Sequence, residues 1–506
     1  MVKRAGGALL LSITIDPQSP RPVSTQLYVL LRDLILAGGF AVGERLPASR
    51  TLARDLGLSR TTVIEAFDRL TAEGLIESRV GAGAFVSKAL QAARPRLPDG
   101  ALQLAGGDTK PPRLSRAMTQ AVGRFAERQR LPSNSRAFTT ALPAFEAFPM
   151  AIWARLAAKH WRSSRNEVMG YGAPFGHAPL RQAIALHLRA NRGIACEAEQ
   201  IFIVGGAQQA FHLIGTTLLD PGDKVWFENP GAIGARNSLI AAGADLVPVP
   251  VDEHGLCVAE GLKLSPQFRL VFVTPSHQQP LGTVMSLERR FALLHAAEQA
   301  GAWIIEDDYD GEFSFGGAPL PTLKSVDTTG LVIYVGTFSK SLFPSLRLGY
   351  LLAPPALVDT LNSIMNKLLN GVPTSTQAVV AEFIDDGHFA AHLRRMRRIY
   401  AERHDALCQA ARRELAGALD IVPSHSGLHT IGWLRGAASE QRVVAAAGQR
   451  DITVSPIARF AIAPVDVRGL VLGFGGVSPQ QIEVGVRVLA EVLAELKANR
   501  RVALHD

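Results

Sequence analysis

The chain has 506 residues, 47% apolar and 19% charged, which fits a soluble globular protein of two or more domains and argues against global disorder. No run approaches the roughly 18 apolar residues needed to cross a bilayer, so a membrane partner is not expected. The formal charge is +8, and the three cysteines, Cys196, Cys257 and Cys408, lie far apart; they form neither a disulfide framework nor a zinc spacing, and point to a reducing cytoplasm and no bound metal.

The opening stretch, Lys3-Arg4 followed by Ala8-Leu9-Leu10-Leu11-Ser12-Ile13-Thr14-Ile15, has the outline of a secretory signal. It lacks a small-residue cleavage site, and Ser12 and Thr14 alternate with apolar neighbours as in a strand. From about residue 20 the elements are short and densely periodic. Leu27, Leu30, Leu31, Leu34 and Ile35 keep the spacing of one helix face, and Gly38-Gly39 ends that helix. A second helix is expected with Ser49 as N-cap, Leu52, Ala53 and Leu56 as its buried face, and Gly57 as its stop. Ser59 caps a third, whose core face is Val63, Ala66, Phe67 and Leu70, leaving Arg60 and Thr61 exposed on its first turn. Helix, glycine turn and a helix that starts polar and basic is the layout of helix-turn-helix DNA readers, although three short helices also suit a plain packing unit. The run Leu75 to Val86 reads as a hairpin, or wing, with Gly81 and Gly83 at its tip.

The strings Gly43-Glu44-Arg45-Leu46-Pro47-Ala48-Ser49-Arg50, Leu52-Ala53, Leu56-Gly57-Leu58-Ser59-Arg60-Thr61-Thr62-Val63 and Arg79-Val80-Gly81-Ala82-Gly83-Ala84-Phe85-Val86 resemble the GntR-type winged helix-turn-helix over about 65 residues. The resemblance implies a domain over 20–88 that binds double-stranded operator DNA. Arg45, Arg50 and Arg60 would contact phosphates or base edges, joined by Ser59, Thr61 and Thr62, with Gly81 and Gly83 of the wing near the DNA backbone. Ala82 and Ala84 stand where the family often has Ser and Thr, so two hydroxyl-to-phosphate contacts are expected to be missing.

From about 89 to 140 the chain is rich in Arg, Ala, Gly and Pro, with Pro95, Pro98, Pro111, Pro112 and Pro132, as expected of a linker with room for one helix. Between Lys88 and Leu131 nine basic residues face three acidic ones. Such a stretch is drawn to a polyanion or simply kept solvated.

From about 141 onward, strand-like runs alternate with helical patterns: Ile201–Val204, Lys224–Phe227, Leu246–Val249, Leu270–Val273, Ala302–Ile305 and Val332–Val335. The alternation predicts an α/β domain with a mainly parallel, buried sheet, and the last hundred residues read as an α+β cap. Ile201-Phe202-Ile203-Val204-Gly205-Gly206 runs into a helix starting near Ala207-Gln208-Gln209, where free N–H groups can bind phosphate. Lys340 follows Val332-Ile333-Tyr334-Val335, with Thr337, Ser339 and Arg347 nearby in sequence. An acidic cluster, Glu306-Asp307-Asp308-Tyr309-Asp310, ends another apolar run. A lysine for a Schiff base and a carboxylate for a ring nitrogen are what a pyridoxal phosphate site requires. Asp307 and Tyr309, two apart, point the same way from one strand. An ordinary turn, a structural lysine and a charged strand end facing water, the last suiting Asp308 and Asp310, remain open alternatives at this point.

Taken in order, these pieces resemble fold-type I aminotransferases, and more closely the aminotransferase-like half of the MocR subfamily of GntR regulators. The supporting strings are Tyr171-Gly172, Gly176-His177-Ala178-Pro179-Leu180-Arg181, Gly206-Ala207-Gln208-Gln209-Ala210, Leu219-Asp220-Pro221-Gly222-Asp223, Thr274-Pro275-Ser276-His277-Gln278, the acidic cluster, Gly336-Thr337-Phe338-Ser339-Lys340 and Arg347-Leu348-Gly349-Tyr350. The resemblance implies a winged helix-turn-helix joined to an aminotransferase-like body over 141–500, with a small subdomain from about 385. Lys340 becomes the Schiff-base and catalytic lysine, Asp307 the pyridinium partner and Tyr309 the phenolate partner. Thr337 and Arg347 become phosphate ligands, Ala207 and Gln208 cofactor contacts, and Tyr171 a phosphate contact from a second subunit of a head-to-tail homodimer. Arg459 matches the arginine that grips a ligand carboxylate, a task suited to its fork of donors.

Two departures stand out. After Glu228-Asn229-Pro230-Gly231, where the family commonly stacks an aromatic on the pyridine ring, this chain has Ala232, and Val204 and Gly205 replace frequent hydroxyl residues. Losing the stack costs on the order of 1 kcal/mol of cofactor binding and argues against sustained transamination, leaving half-reaction chemistry open. The expected function is a cytoplasmic regulator of transcription whose body senses a small amine or amino acid. The alternatives are a working aminotransferase with an appended DNA-binding head, or a DNA-binding protein with a cofactor-free body.

Overall fold

The computed structural model describes residues 14–79, 82–90, 113–128, 135–162, 166, 169–315, 321–421, 423–424, 426–436 and 439–502, and the chain divides into units of residues 1–112 and 113–506. In the first unit the apolar spacing does what it predicts. Helices Val23–Leu36, Ser49–Asp55 and Arg60–Ala72 bury Leu27, Leu31, Ile35, Leu52, Val63, Ala66 and Leu70 in one core, closed by Ile76 and Val86 of a hairpin. The hairpin pairs β1 (Ile76–Arg79) with β2 (Gly83–Val86) antiparallel, in the register Ile76↔Val86 to Arg79↔Gly83. Ser59 caps the third helix, its hydroxyl accepting from the Thr62 N–H at 3.1 Å. Ser49 is not a cap: the helix begins on it, and Ala48 holds the cap position without a side-chain bond. Gly81 of the wing tip, most of the strand-like alternation at residues 8–15, and Pro95, Pro98, Pro111, Pro112 and Pro132 lie outside the described residues.

The second unit is built on an eight-stranded sheet of β3 (Ile201–Val204), β4 (Lys224–Asn229), β5 (Asp245–Asp252), β6 (Gly255–Leu256), β7 (Leu270–Val273), β8 (Trp303–Asp308), β9 (Val332–Thr337) and β10 (Gly349–Leu352), in the order β3-β10-β9-β8-β7-β4-β5-β6. The pairs from β5 through β4, β7 and β8 to β9 are parallel, as expected of strands that are apolar almost throughout. β10 is antiparallel to both β9 and β3. It therefore restores the direction of β3, so β3, β4, β7, β8 and β9 all end at one edge. Ligands of open α/β sheets bind outside such carboxyl ends. The long helix His388–Glu414 leads to a four-stranded antiparallel sheet of β11 (Leu419–Ile421), β12 (His429–Leu434), β13 (Ser455–Pro456) and β14 (Gly469–Gly473), in the order β11-β12-β14-β13. Phe138 bridges to Gly473 of β14. Among the described residues no helix is long and apolar enough to cross a membrane.

Part of the predicted linker packs on the second unit. Ser115 caps the helix Arg116–Arg124, accepting from the Met118 N–H at 3.1 Å. That helix and the residues after it lie along the helix Ile233–Ala241.

Candidate functional site

The carboxyl ends of the strands gather most of the expected residues. Thr337, last in β9, caps the short helix Phe338–Ser341 with its hydroxyl, which accepts from the Ser339 N–H at 3.2 Å. Lys340 sits on that helix, half-buried, and its Nζ donates to the Ala141 carbonyl at 2.9 Å. Burial pulls its amine down to about 8, although the negative charges of Asp310 and Asp307 push it up; the Arg128 guanidinium adds to the lowering. A lysine held there is neutral far more often than one in water, which is the form that attacks a carbonyl.

Asp307, near the end of β8, is buried, and its Oδ1 has no hydrogen-bond partner among the described residues. Desolvation, then the charges of Asp308, Asp310 and Glu228, hold its carboxyl well above the usual carboxylate range, with Lys340 opposing. An orphaned, raised carboxyl is costly in isolation, and a cationic N–H placed against it would relieve that cost. Tyr309 extends from the same strand end, its hydroxyl 3.1 Å from Nδ1 of His277, which also lies 3.0 Å from Asp310 Oδ2. Burial and the surrounding acids hold the phenol well above its ordinary value, so it stays a proton donor.

Asp308 and Asp310 do not face water as the charged-end alternative had it. Asp308 is buried in an ion pair with Arg192 and accepts from the Tyr334 hydroxyl at 2.5 Å, while Asp310 is buried against His277. Their partners are distant in sequence, which is why a local pattern misassigned them. Three further residues, Glu228, His277 and His429, carry no assigned role in the sequence. Glu228, at the end of β4, is fully buried and accepts from Thr274 Oγ1 at 2.6 Å, the Thr274 N–H at 3.1 Å and Gln278 Nε2 at 3.0 Å; burial raises it to about 7. It ties the β4 and β7 ends together. His277, Asp310 and His429 offer ligand atoms within 4.8 Å of one another. Each already has a bond, His429 Nε2 lying 3.0 Å from the Pro280 carbonyl, and burial followed by the neighbouring His277 pulls His429 down to about 4. His277, set between Asp310 and Tyr309, is placed to position the Tyr309 hydroxyl.

The residues expected to contact phosphate gather at the start of helix Ala207–Leu218. Gly206 has φ +102, and a Cβ there would lie 3.8 Å from the Arg347 guanidinium carbon. Arg347 is thus brought against the helix start, where backbone N–H groups and the helix dipole already favour an anion. The Gly205 N–H is taken by Gln209 Oε1, and Gln208 Oε1 accepts from Arg128 at 2.5 Å. Ala232 is buried at the start of helix Ile233–Ala241 and packs in an apolar cluster.

Arg459 lies in the turn Ile457–Phe460 after β13, half-buried, and its Nη2 donates to the Glu127 carbonyl at 2.9 Å. Burial lowers its guanidinium and the charge of Glu127 counters that. Tyr171 is 96% exposed, so in a single protomer its side chain stands apart from the Lys340 cluster.

On the first unit, Arg45, Arg50, Ser59, Arg60, Thr61 and Gly83 are all exposed. Thr62 is half-buried, its hydroxyl 2.7 Å from that of Ser59. Gly83 has φ +102, and a Cβ on it would lie 3.1 Å from Arg45 Nε, so the wing and Arg45 share one surface. Ala84 points into the core. A hydroxyl at that position would be buried, so the expected loss of a DNA contact does not apply to Ala84.

Residues 143–489 match the family model "Aminotransferase class I and II", and residues 23–86 match "Bacterial regulatory proteins, gntR family". The chain is 40% identical over 490 residues to the "Probable rhizopine catabolism regulatory protein MocR" of Rhizobium meliloti, covering 96% of this chain and 97% of that protein. It is 29% identical over 471 residues to the HTH-type pyridoxine biosynthesis transcriptional regulator PdxR of Corynebacterium glutamicum, covering 92% and 94%. Among solved structures, the α-aminoadipate aminotransferase LysN of Thermus thermophilus, complexed with N-(5'-phosphopyridoxyl)-L-leucine, aligns with a TM-score of 0.68 at 28% identity, covering 76% of this chain and 100% of that one.

Proposed function

The chain belongs to the MocR-type GntR regulators, transcriptional regulators in which a helix-turn-helix is joined to an aminotransferase-like body, and from that premise we propose that the body holds pyridoxal 5'-phosphate and senses a small amine or amino acid. The observation that carries the reading is the buried Oδ1 of Asp307, without a hydrogen-bond partner among the described residues, beside Tyr309 and Lys340. The phosphopyridoxyl ligand of the LysN structure supports it.

In this reading Asp307 holds the proton of the ring nitrogen and Tyr309, steadied by His277, donates to the ring's phenolic oxygen. Arg347, Thr337 and the helix start at Ala207 and Gln208 hold the phosphate. When bound, the cofactor supplies an aldehyde that primary amines engage. Lys340 presents one such amine, and a ligand amine competes with it while Arg459 pairs with the ligand's carboxylate. Tyr171, exposed in one protomer, serves the site of a second subunit in a head-to-tail homodimer. On the head, Arg45, Arg50, Ser59, Arg60, Thr61, Thr62 and Gly83 form the face for operator DNA. Ligand binding changes transcription by favouring one of two body states, since only differential affinity shifts an equilibrium.

Lys340→Ala tests this. The variant is expected to lose the visible absorbance of cofactor-loaded protein and every spectral response to amines, while binding operator as wild type does. A normal amine response in that variant contradicts the reading.

A further inference from the structure

Residues 124–128 lie across the groups that the proposed reading assigns to ligand and cofactor. Asn237, on helix Ile233–Ala241, accepts from the Ala126 N–H at 2.9 Å through Oδ1 and donates to the Ala126 carbonyl at 2.8 Å through Nδ2. One side-chain amide thus takes both backbone groups of one residue, which fixes position and orientation together. The next carbonyl, that of Glu127, accepts from Arg459 at 2.9 Å, and the residue after it, Arg128, donates to Gln208 at 2.5 Å. The Glu127 carboxylate supports the charge on Arg459. The Arg124–Asp245 pair, at 3.4 Å with both side chains well exposed, adds little.

We propose that Asn237 is a specificity-determining positioning residue: by clamping Ala126 it keeps the Glu127 carbonyl on Arg459, so a carboxylate ligand that takes the Nη2 donor must displace the chain's own residues 125–128. The proposal rests on the reading of Arg459 as the ligand-carboxylate arginine. The docked form of the segment competes with ligand, and apparent affinity is scaled down by the fraction of protein in the displaced form. The penalty falls on ligands that need Arg459. An amine lacking a carboxylate leaves the segment in place, so the clamp tunes selectivity between the two classes.

The test uses cofactor-loaded, full-length protein titrated with L-alanine and with ethylamine, read by the shift in cofactor absorbance. Asn237→Ala is expected to tighten L-alanine binding about 10-fold through the lost pair of hydrogen bonds and to leave ethylamine affinity unchanged. Asn237→Asp, which keeps an acceptor for the Ala126 N–H but repels its carbonyl, should move in the same direction. Hydrogen exchange at residues 125–128 should speed up in both variants without ligand, while helix Ile233–Ala241 exchanges as in wild type. A purely structural Asn237 would change both affinities alike, or neither, and either result overturns the proposal. Arg459→Gln separates the two failures. If it abolishes the preference for L-alanine while Asn237→Ala does not raise it, only the clamp falls. If it leaves that preference intact, the reading of Arg459 falls and the clamp with it.

Discussion

The DNA-facing unit and the sheet-based unit present their candidate residues in opposite ways. On the first, Arg45, Arg50, Arg60 and Thr61 stand exposed, ready for a partner outside the chain. On the second, Asp307, Asp308, Asp310 and Glu228 are buried and bonded or charge-coupled to one another, with Lys340 among them. Polymer recognition needs solvent-facing cations, whose effect is additive and salt-dependent. Cofactor chemistry needs a desolvated cluster in which each charge shifts its neighbours. Substitutions should therefore separate cleanly by region.

The largest effect is expected at Asp307. Asp307→Ala removes a charge-assisted bond of about 1.5–3 kcal/mol, so cofactor affinity should fall by about 10- to 100-fold while operator binding holds. Spectral titration and a gel-shift assay on the same variant check both halves. Arg60→Ala should do the reverse, weakening operator binding by about 1–3 kcal/mol if it reads a base and leaving cofactor absorbance untouched. Unchanged affinity and specificity would remove Arg60 from the interface.

The pH dependence sharpens the comparison further. Lys340 has its amine lowered from 10.5 to about 8, so below pH 8 the neutral form falls about tenfold per unit. Cofactor uptake by the apoprotein should slow accordingly as pH drops through 8. The sign for stability follows: between about 8 and 10.5 the unfolded chain holds the proton that the folded lysine has released, so stability rises with pH in that window. Lys340→Met should flatten the rise in a melting-temperature series. The smallest effect is expected at Ala84, which is buried in the head core. Ala84→Ser should cost about 1 kcal/mol of head stability without tightening DNA binding, as thermal melts and operator titrations can show.

Legibility in the sequence follows the same divide. Strands Ile201–Val204 and Leu270–Val273 show in the sequence with the bounds they have in the fold, because a strand buried along its whole length is an unbroken apolar run. The Ser59 cap is legible because its partner, Thr62, is three residues away. The antiparallel β10 is not legible as a strand, since Gly349-Tyr350 sits in a motif whose glycine masks the run. Asp308 and Asp310 are misassigned by local pattern because Arg192 and His277 reach them from other elements. The Ala141 carbonyl meets Lys340 across 199 positions of sequence, and Asn237 meets Ala126 across 111. No periodicity carries such information; only the topology of the sheet and the packing of residues 113–128 and 135–142 supply it.

The central claim is that the amine at position 340 is where vitamin B6 aldehyde is bound. Borohydride reduction of cofactor-loaded protein, followed by peptide mass mapping, tests it most directly. A pyridoxyl group on Lys340 and on no other lysine is the expected result. An unmodified Lys340 in protein that still carries the cofactor would contradict the account.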